Sequence, residues 1–323
     1  SLSDLDRRLG KKRELVPTPE AELAQSAILQ RVLRTSRQAA EMLVDNGLID
    51  IERLPALADI DDLRFFLFGR WVENPGDLLA VGPATSAVRQ RLAASQLAVW
   101  LYGHVAPLIS WNSLRGFSDY LYHSPNFFLP PFAGLRVATF HDLSVYRDPK
   151  FHPPARVTFM RREIPKALRR ANHIIAVSQF VAGEISEYLD FPRERISVVP
   201  NGVSAAYQPR PAETLRPRLS EYGLEPGGYT LCVSTIEPRK NIAVLLEAYA
   251  RLPSTLRQRY PLVLCGDKGW RSEDTHDAIE RAQRAGWLTY LGFTPEGDLP
   301  LLYAGARLFA FPSLHEGFGL PVL

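Results

Sequence analysis

The sequence predicts an α/β protein of two domains, each a parallel sheet flanked by helices, facing one another across a cleft. Three observations carry that reading. From residue 120 onward short apolar runs alternate with amphipathic stretches, a rhythm that implies right-handed crossovers and parallel strands. The rhythm is interrupted once, at 207–228, by four prolines, two adjacent glycines and a short helical stretch around 215–222. It then restarts and continues to Leu323. At 323 residues, 46% hydrophobic and 23% charged, the chain can build two cores and is not a disordered one.

The order of elements follows from local pattern. Residues 1–16 are charged, and Pro17-Thr18-Pro19 with Glu20 and Glu22 marks a helix start. Leu23, Ala27, Ile28, Leu33, Ala39, Ala40, Leu43 and Val44 recur at helical spacing up to Gly47, so 1–62 reads as a helical N-terminal segment. Asp59-Ile60-Asp61-Asp62 superficially resembles a metal-binding Asp-x-Asp but reads as an N-cap or turn cluster. Within a first domain at 63–207, strands are expected at 63–68 and 77–81 and a helix or helix pair at 86–104. Next come a strand at 136–140 ending in His141-Asp142, a helix at 154–170, a strand at 173–178, a helix at 179–189 and a strand from 196 turning at Asn201-Gly202. Within a second domain at 208–323, strands fall at 229–235, 262–266, 288–292 and 308–311, with helices at 241–252, 272–285 and 296–304.

A formal charge of +3 is small, yet Arg161-Arg162 and Arg169-Arg170 make local positive fields that suit anionic nucleotides or an anionic membrane surface. Solvated helix faces explain them as well. Cys232 and Cys265 lie inside expected strands and read as buried apolar residues rather than a disulfide or zinc ligands. The longest apolar tract, 97–111, is broken by His104 and Pro107 and is too short to span a bilayer. A cytoplasmic setting is expected, with peripheral contact at the inner face of the cell membrane. The phosphate-binding loop of ATPases, the nucleophile elbow of hydrolases and the glycine fingerprint of nicotinamide dehydrogenases are absent from the sequence.

The residues that could carry chemistry stand at strand ends. Glu316 follows the last strand, Pro312 ends that strand, and Gly317 and Gly319 let the backbone approach a ligand. Such a carboxylate can accept hydrogen bonds from sugar hydroxyls, or it is a surface Glu in a tight turn. Arg239 and Lys240 follow the strand at 229–235, where they are either cations for a departing diphosphate or an ordinary basic turn. Asn241 is placed to cap the next helix. Ser178 and Asn201-Gly202 read as caps or loop closures of the first domain.

Glu316-Gly317-Phe318-Gly319-Leu320-Pro321-Val322, taken with Glu237-Pro238-Arg239-Lys240-Asn241, resembles the retaining nucleotide-sugar glycosyltransferases called glycosyltransferase group 1, or family four. The resemblance covers 120–323, is thin over 63–119 and is not visible before that. It implies the GT-B fold, two Rossmann-like domains around a central cleft, with 63–207 holding the acceptor and 208–323 the donor. It also implies transfer of a hexose, mannose from GDP-mannose, to a polysaccharide of the O-antigen kind or a polyprenyl-linked glycan. Neither a metal, a further cofactor nor a nucleic acid is expected. By the same resemblance Arg239 and Lys240 hold the diphosphate charge, Glu316 bonds the donor sugar, and His141 lies near the transferred sugar. Gly266, Asp267, Gly292, Phe293, Gly317, Phe318 and Gly319 line the donor site, although turn geometry explains Gly266 and Gly292 equally. Asp142 is expected to support its loop. Two departures matter. Thr235 stands where many relatives have an Arg, and the family's second Glu would fall at position 324. The expectation is therefore an incomplete second domain, continued by a helix that begins with that Glu. An epimerase or phosphorylase of the same fold, or a non-catalytic sugar-binding or assembly subunit, remains open.

Overall fold

The computed structural model describes residues 65–67, 70–72 and 110–323, residue 296 excepted. The expected helical segment at 1–62, the Asp59 and Asp61 pair, the strand at 77–81 and the helix at 86–104 lie outside the described residues. A short antiparallel pair, β1 (Phe65–Leu67) and β2 (Arg70–Val72), is described on its own.

The first parallel sheet contains β3 (Leu121–Ser124), β4 (Leu135–Phe140), β5 (His173–Ala176) and β6 (Ile196–Val198), in that spatial order. Because each strand lies beside the one before it, right-handed crossovers put the intervening helices on one face. A four-residue helix α1 (Ser144–Arg147) follows β4, then α2 (Pro154–Arg170), and α3 (Gln179–Leu189) follows β5. Ala138, Phe140, Ile174 and Ala176 share one core with Ile164 and Leu168 of α2 and with Val181 and Ile185 of α3. The boundaries of α2 and α3 coincide with the expected ones, while the last strand closes at Val198 instead of running on to its turn.

The second sheet is parallel with the order β10-β7-β8-β9. Its strands are β7 (Thr230–Val233), β8 (Leu262–Cys265), β9 (Leu288–Gly292) and β10 (Leu308–Phe309). Helices α4 (Ala212–Glu221), α5 (Ile242–Ala250), α6 (Ser254–Arg259), α7 (Glu273–Arg284) and α8 (Leu299–Gly305) cover both faces. Leu231, Val263 and Cys265 point to α4 and α8, and Cys232, Leu262 and Leu264 point to α5 and α7. A sheet buried on both sides needs unbroken apolar strands, which is why Leu-Cys-Val and Leu-Val-Leu-Cys lack polar alternation. Both cysteines are free and buried, and burial pushes the thiols up to about 12 at Cys232 and about 11 at Cys265.

Where expectation and structure differ, the cause is local. The final helix starts at Leu299 rather than 296 because Pro300 is suited to its first turn, where a missing N–H costs nothing. The final strand is two residues shorter than expected, although the Ala310 N–H still bonds the Leu231 carbonyl. Helices α1 and α6 were not anticipated, being too short to show periodicity. No described helix is long and apolar enough to cross a membrane.

The strand order matters for function. The chain leaves β7 toward β8 and β9 on one side, then returns to place β10 on the other. The carboxyl ends of β7 and β10 therefore flank a topological switch point, where open α/β sheets leave a crevice for ligands.

Tyr229, fully buried, ties this domain together by donating its hydroxyl to the Leu302 carbonyl at 2.7 Å. Tyr229→Phe leaves that carbonyl buried without its donor, at a cost of about 1 to 3 kcal/mol. The expected result in urea is a lower midpoint at unchanged slope, and an unchanged midpoint would show the bond to be dispensable.

Candidate functional site

Two loops meet at the switch point. After β7 the backbone runs through Glu237 in extended conformation into a single 3-10 turn, Pro238–Lys240, and Asn241 then adopts the left-handed conformation, φ 59°, before α5 begins. The expected cap is not made. The Asn241 side chain has no capping bond to α5 and instead donates to the Pro312 carbonyl at 3.2 Å, because the loop after β10 passes within its reach. The two loops are further joined by the Leu314 N–H to the Arg239 carbonyl at 3.0 Å.

Their side chains form one charged cluster. Glu316 receives Lys240 Nζ on Oε1 at 2.5 Å and Arg239 Nη1 on Oε2 at 2.9 Å. The Arg239 Nη1 also donates to the His315 carbonyl at 2.7 Å, and its Nη2 to Glu237 Oε1 at 2.9 Å. Exposure of these side chains is 12% for Arg239, 14% for Lys240, 19% for Glu316 and 4% for Glu237. Two cations thus balance two carboxylates in a largely dry setting, the condition under which buried charge is tolerated. Burial alone would raise the Glu316 carboxyl, but the Lys240 hydrogen bond and the charges of Lys240 and Arg239 outweigh it and hold the group below the usual carboxylate range. For Arg239 burial opposes the charge, and Glu316 and Glu237 more than restore it.

The same loop is pressed against the first domain. An added Cβ on Gly317 would fall 1.7 Å from the His141 carbonyl oxygen, so only glycine permits the contact. Ser178 Oγ donates to the Gly317 carbonyl at 2.5 Å while accepting the Val181 N–H at 3.1 Å, so one hydroxyl both caps α3 and crosses to the second domain. Phe318 packs against the first domain's core. His141 itself is exposed at the end of β4, and its Nε2–H donates to the Pro125 carbonyl at 2.8 Å. Asp142 organises the loop beyond it, accepting from the Ser144 N–H and hydroxyl at 2.9 and 2.6 Å.

The structure brings Glu316, Arg239 and Lys240 into direct contact and sets Gly317 against His141. The remaining expected positions are held by the sheet. Gly266, φ 133°, lies so close to β7 that a Cβ would meet the Ser234 oxygen at 2.0 Å. Its N–H bonds the Gly292 carbonyl, and the Asp267 carbonyl accepts the Ile236 N–H. Gly292 and Gly319 turn the chain with positive φ, and Phe293 is 74% exposed. Ser178 makes the cap expected of it in the first domain and, beyond that expectation, bridges the domains. Trp270 and Arg271 were not anticipated at all. Trp270 Nε1 donates to the Phe151 carbonyl at 2.8 Å and Arg271 Nη1 to the Lys150 carbonyl at 2.5 Å, a second tie between domains. Only Gly269-Trp270 after a strand hinted at it, since such a turn can hold a large ring close to backbone.

Two family profiles match the chain: one described as Glycosyl transferases group 1 over residues 222–323, the other as Glycosyltransferase Family 4 over residues 111–207. The O-antigen chain mannosyltransferase B of Escherichia coli is 39% identical over 296 residues, 91% of this chain and 73% of that protein. The serotype-specific mannosyltransferase WbdA of Escherichia coli is 39% identical over 160 residues, 48% of this chain but only 19% of its own length. Among solved structures, that of WaaG, a glycosyltransferase involved in lipopolysaccharide biosynthesis, superposes with a TM-score of 0.54 at 18% identity. The match covers 67% of this chain and 60% of WaaG, and it speaks for the fold alone.

The contact at Gly317 has a direct consequence. Gly317→Ala places a methyl group against backbone, which no rotamer change relieves, so the loop is expected to lift from the first domain. Small-angle scattering should report a larger radius of gyration with secondary structure retained. An unchanged radius and melting temperature would show that the contact does not hold the domains together.

Proposed function

Because the chain belongs to the group 1 glycosyltransferases and has their GT-B fold, we propose that it transfers mannose from GDP-mannose to a hydroxyl of an O-antigen-type polysaccharide or polyprenyl-linked glycan. The observation that carries the reading is the contact of Glu316 with Arg239 and Lys240 at the switch point. A sugar nucleotide presents there an anionic diphosphate and a ring of hydroxyls. On its arrival Lys240 exchanges Glu316 for a diphosphate oxygen, and the freed carboxylate oxygen accepts from sugar hydroxyls. The cluster thus holds the two functional groups in register before either is used.

The reaction follows with retention at the anomeric carbon. The bond from that carbon to the diphosphate oxygen breaks, and the acceptor oxygen bonds to the same face. The acceptor's proton passes to the departing phosphate oxygen, so charge and protons balance without a further reagent. Arg239 and Lys240 stabilise the negative charge that grows on the diphosphate. His141, on the first domain, faces the transferred sugar and the acceptor. Gly317, Phe318 and Gly319, with the loops at Gly266-Asp267 and Gly292-Phe293, surround the donor. The acceptor is reached from the cytoplasmic face of the membrane, with the protein bound peripherally. The mannose assignment leans on the 39% identical Escherichia coli mannosyltransferase, of which this chain spans 73%.

The donor is tested by melting the protein against GDP, UDP and ADP sugars, since a ligand of the folded state raises the melting temperature. GDP-mannose is expected to give the largest shift, with turnover that persists in EDTA because fixed cations replace a metal. A larger shift with UDP sugars overturns the donor, and loss of turnover in EDTA restored by manganese overturns the fixed-cation account.

Lys240→Ala separates recognition from chemistry. Removing one preorganised charge that stabilises the transition state costs about 3 to 4 kcal/mol, or roughly a hundred- to thousand-fold in rate. Turnover should fall by that factor while donor affinity changes far less, and a variant within a few-fold of wild type would reduce Lys240 to a structural partner of Glu316.

A further inference from the structure

Next to the charged cluster, two buried side chains face each other across the domain boundary, each with one polar atom that has no hydrogen-bond partner. Glu184, on α3 of the first domain, and His315, on the loop after β10, each expose 3% of their side chains. Glu184 Oε1 accepts one long bond from Arg147 Nη1 at 3.3 Å. Its Oε2 has no hydrogen-bond partner, and neither has His315 Nε2, which lies 3.8 Å away. Buried polar atoms of this kind are rare because each forfeits its hydration, and two that point at one another are one short movement from satisfying both.

The surroundings favour that movement. Phe180 lies beside the His315 ring with centroids 5.5 Å apart, and the Arg147 guanidinium lies over the Phe180 ring at 5.2 Å. His315 immediately precedes Glu316, and its carbonyl is already gripped by Arg239 at 2.7 Å. Whatever fixes the His315 ring therefore fixes the backbone that carries the Glu316 carboxylate. The charged groups around the pair are Arg147 on α1, Asp142 and Asp148 on either side of it, Glu187 on α3, and Arg239 from the second domain. Burial raises the Glu184 carboxyl against the pull of Arg147, and burial lowers the His315 imidazole. At neutral pH the imidazole is thus uncharged and has a single N–H to give.

We propose that Glu184 is a positioning residue for the transfer reaction: its free Oε2, brought within reach by a small shift of the ring, accepts the His315 Nε2–H across the domain boundary, and so sets Glu316 against the donor sugar. The first domain thereby controls the geometry of a residue that belongs to the second. The proposal rests on the donor-site reading of Glu316 given above.

The test uses the whole chain with GDP-mannose, or whichever nucleotide sugar the wild type turns over, and GDP alone as the binding probe. Glu184→Ala is expected to lower kcat tenfold or more and to leave the Kd for GDP within about twofold, because Arg239 and Lys240, the residues proposed to hold the diphosphate, keep their charges and their own contacts with Glu237 and Glu316. Glu184→Gln keeps an oxygen that can accept the imidazole N–H and should restore most of the rate. The double variant Glu184→Ala with His315→Ala should be no slower than His315→Ala alone, the signature of two residues acting as one. A substrate-free reading comes from the 15N shifts of the His315 ring, where the wild type should hold its proton on Nε2 and Glu184→Ala should shift it toward Nδ1. Unchanged kcat in Glu184→Ala, or a parallel fall in kcat and GDP binding, overturns the proposal. If Glu184→Ala does not fold, a Glu184→Gln rate near wild type with Nε2 protonation retained supports the brace, and any other combination overturns it. Should the wild type turn over no nucleotide sugar, the donor reading fails, and the ring-nitrogen measurement alone decides whether Glu184 holds His315.

Discussion

The Glu316 carboxylate, gripped on one oxygen by Lys240 and on the other by Arg239, is the interaction on which the rest of the site depends. It joins the carboxyl ends of β7 and β10, the two strands that flank the switch point of the second sheet. Four charges of balanced sign stand there with little access to water. None can lose its partner cheaply, because an unpaired charge in such a setting is far more costly than a paired one. The cluster therefore behaves as a unit, and the proposed sugar-nucleotide donor would enter it by exchange, taking over a cation already held in place.

The loop that carries Glu316 is also where the domains touch. Gly317 meets the His141 carbonyl, Ser178 crosses to the Gly317 carbonyl, and Phe318, half-buried, packs against the first-domain core. A second tie at Trp270 and Arg271 engages the short turn Pro149–Phe151. These contacts are mostly backbone carbonyls meeting a glycine or a single donor, so they are directional and sensitive to small displacements. Geometry in the first domain, which the proposed acceptor would occupy, is thereby passed to the residues proposed to hold the donor.

The contribution of glycine differs between positions that looked alike in sequence. Gly266 holds β7 and β8 together where no Cβ fits, and Gly317 closes the domain boundary for the same reason. Gly292 and Gly319 instead supply positive φ with open space around them or only ordinary contact. A single residue type thus serves sheet packing, domain contact and chain reversal. Only the neighbours tell these apart.

Much of the fold was legible in the chain. Periodicity placed α2 and α3 to the residue, located every strand of the second sheet, and identified Cys232 and Cys265 as buried, because each depends on side chains within a few positions of one another. The short motifs around Glu237 and Glu316 marked both halves of the charged cluster. Tertiary structure alone decided that these halves bind each other, since Lys240 and Glu316 are 76 residues apart and no local pattern records the pairing. It likewise decided that Asn241 gives its side chain to Pro312 instead of its own helix, that Ser178 reaches Gly317 across 139 residues, and that Glu184 and His315 face each other. Local sequence determines which elements form because helix and strand are short-range equilibria. Which polar atoms find partners is settled only when sheets and domains close and water is removed between them.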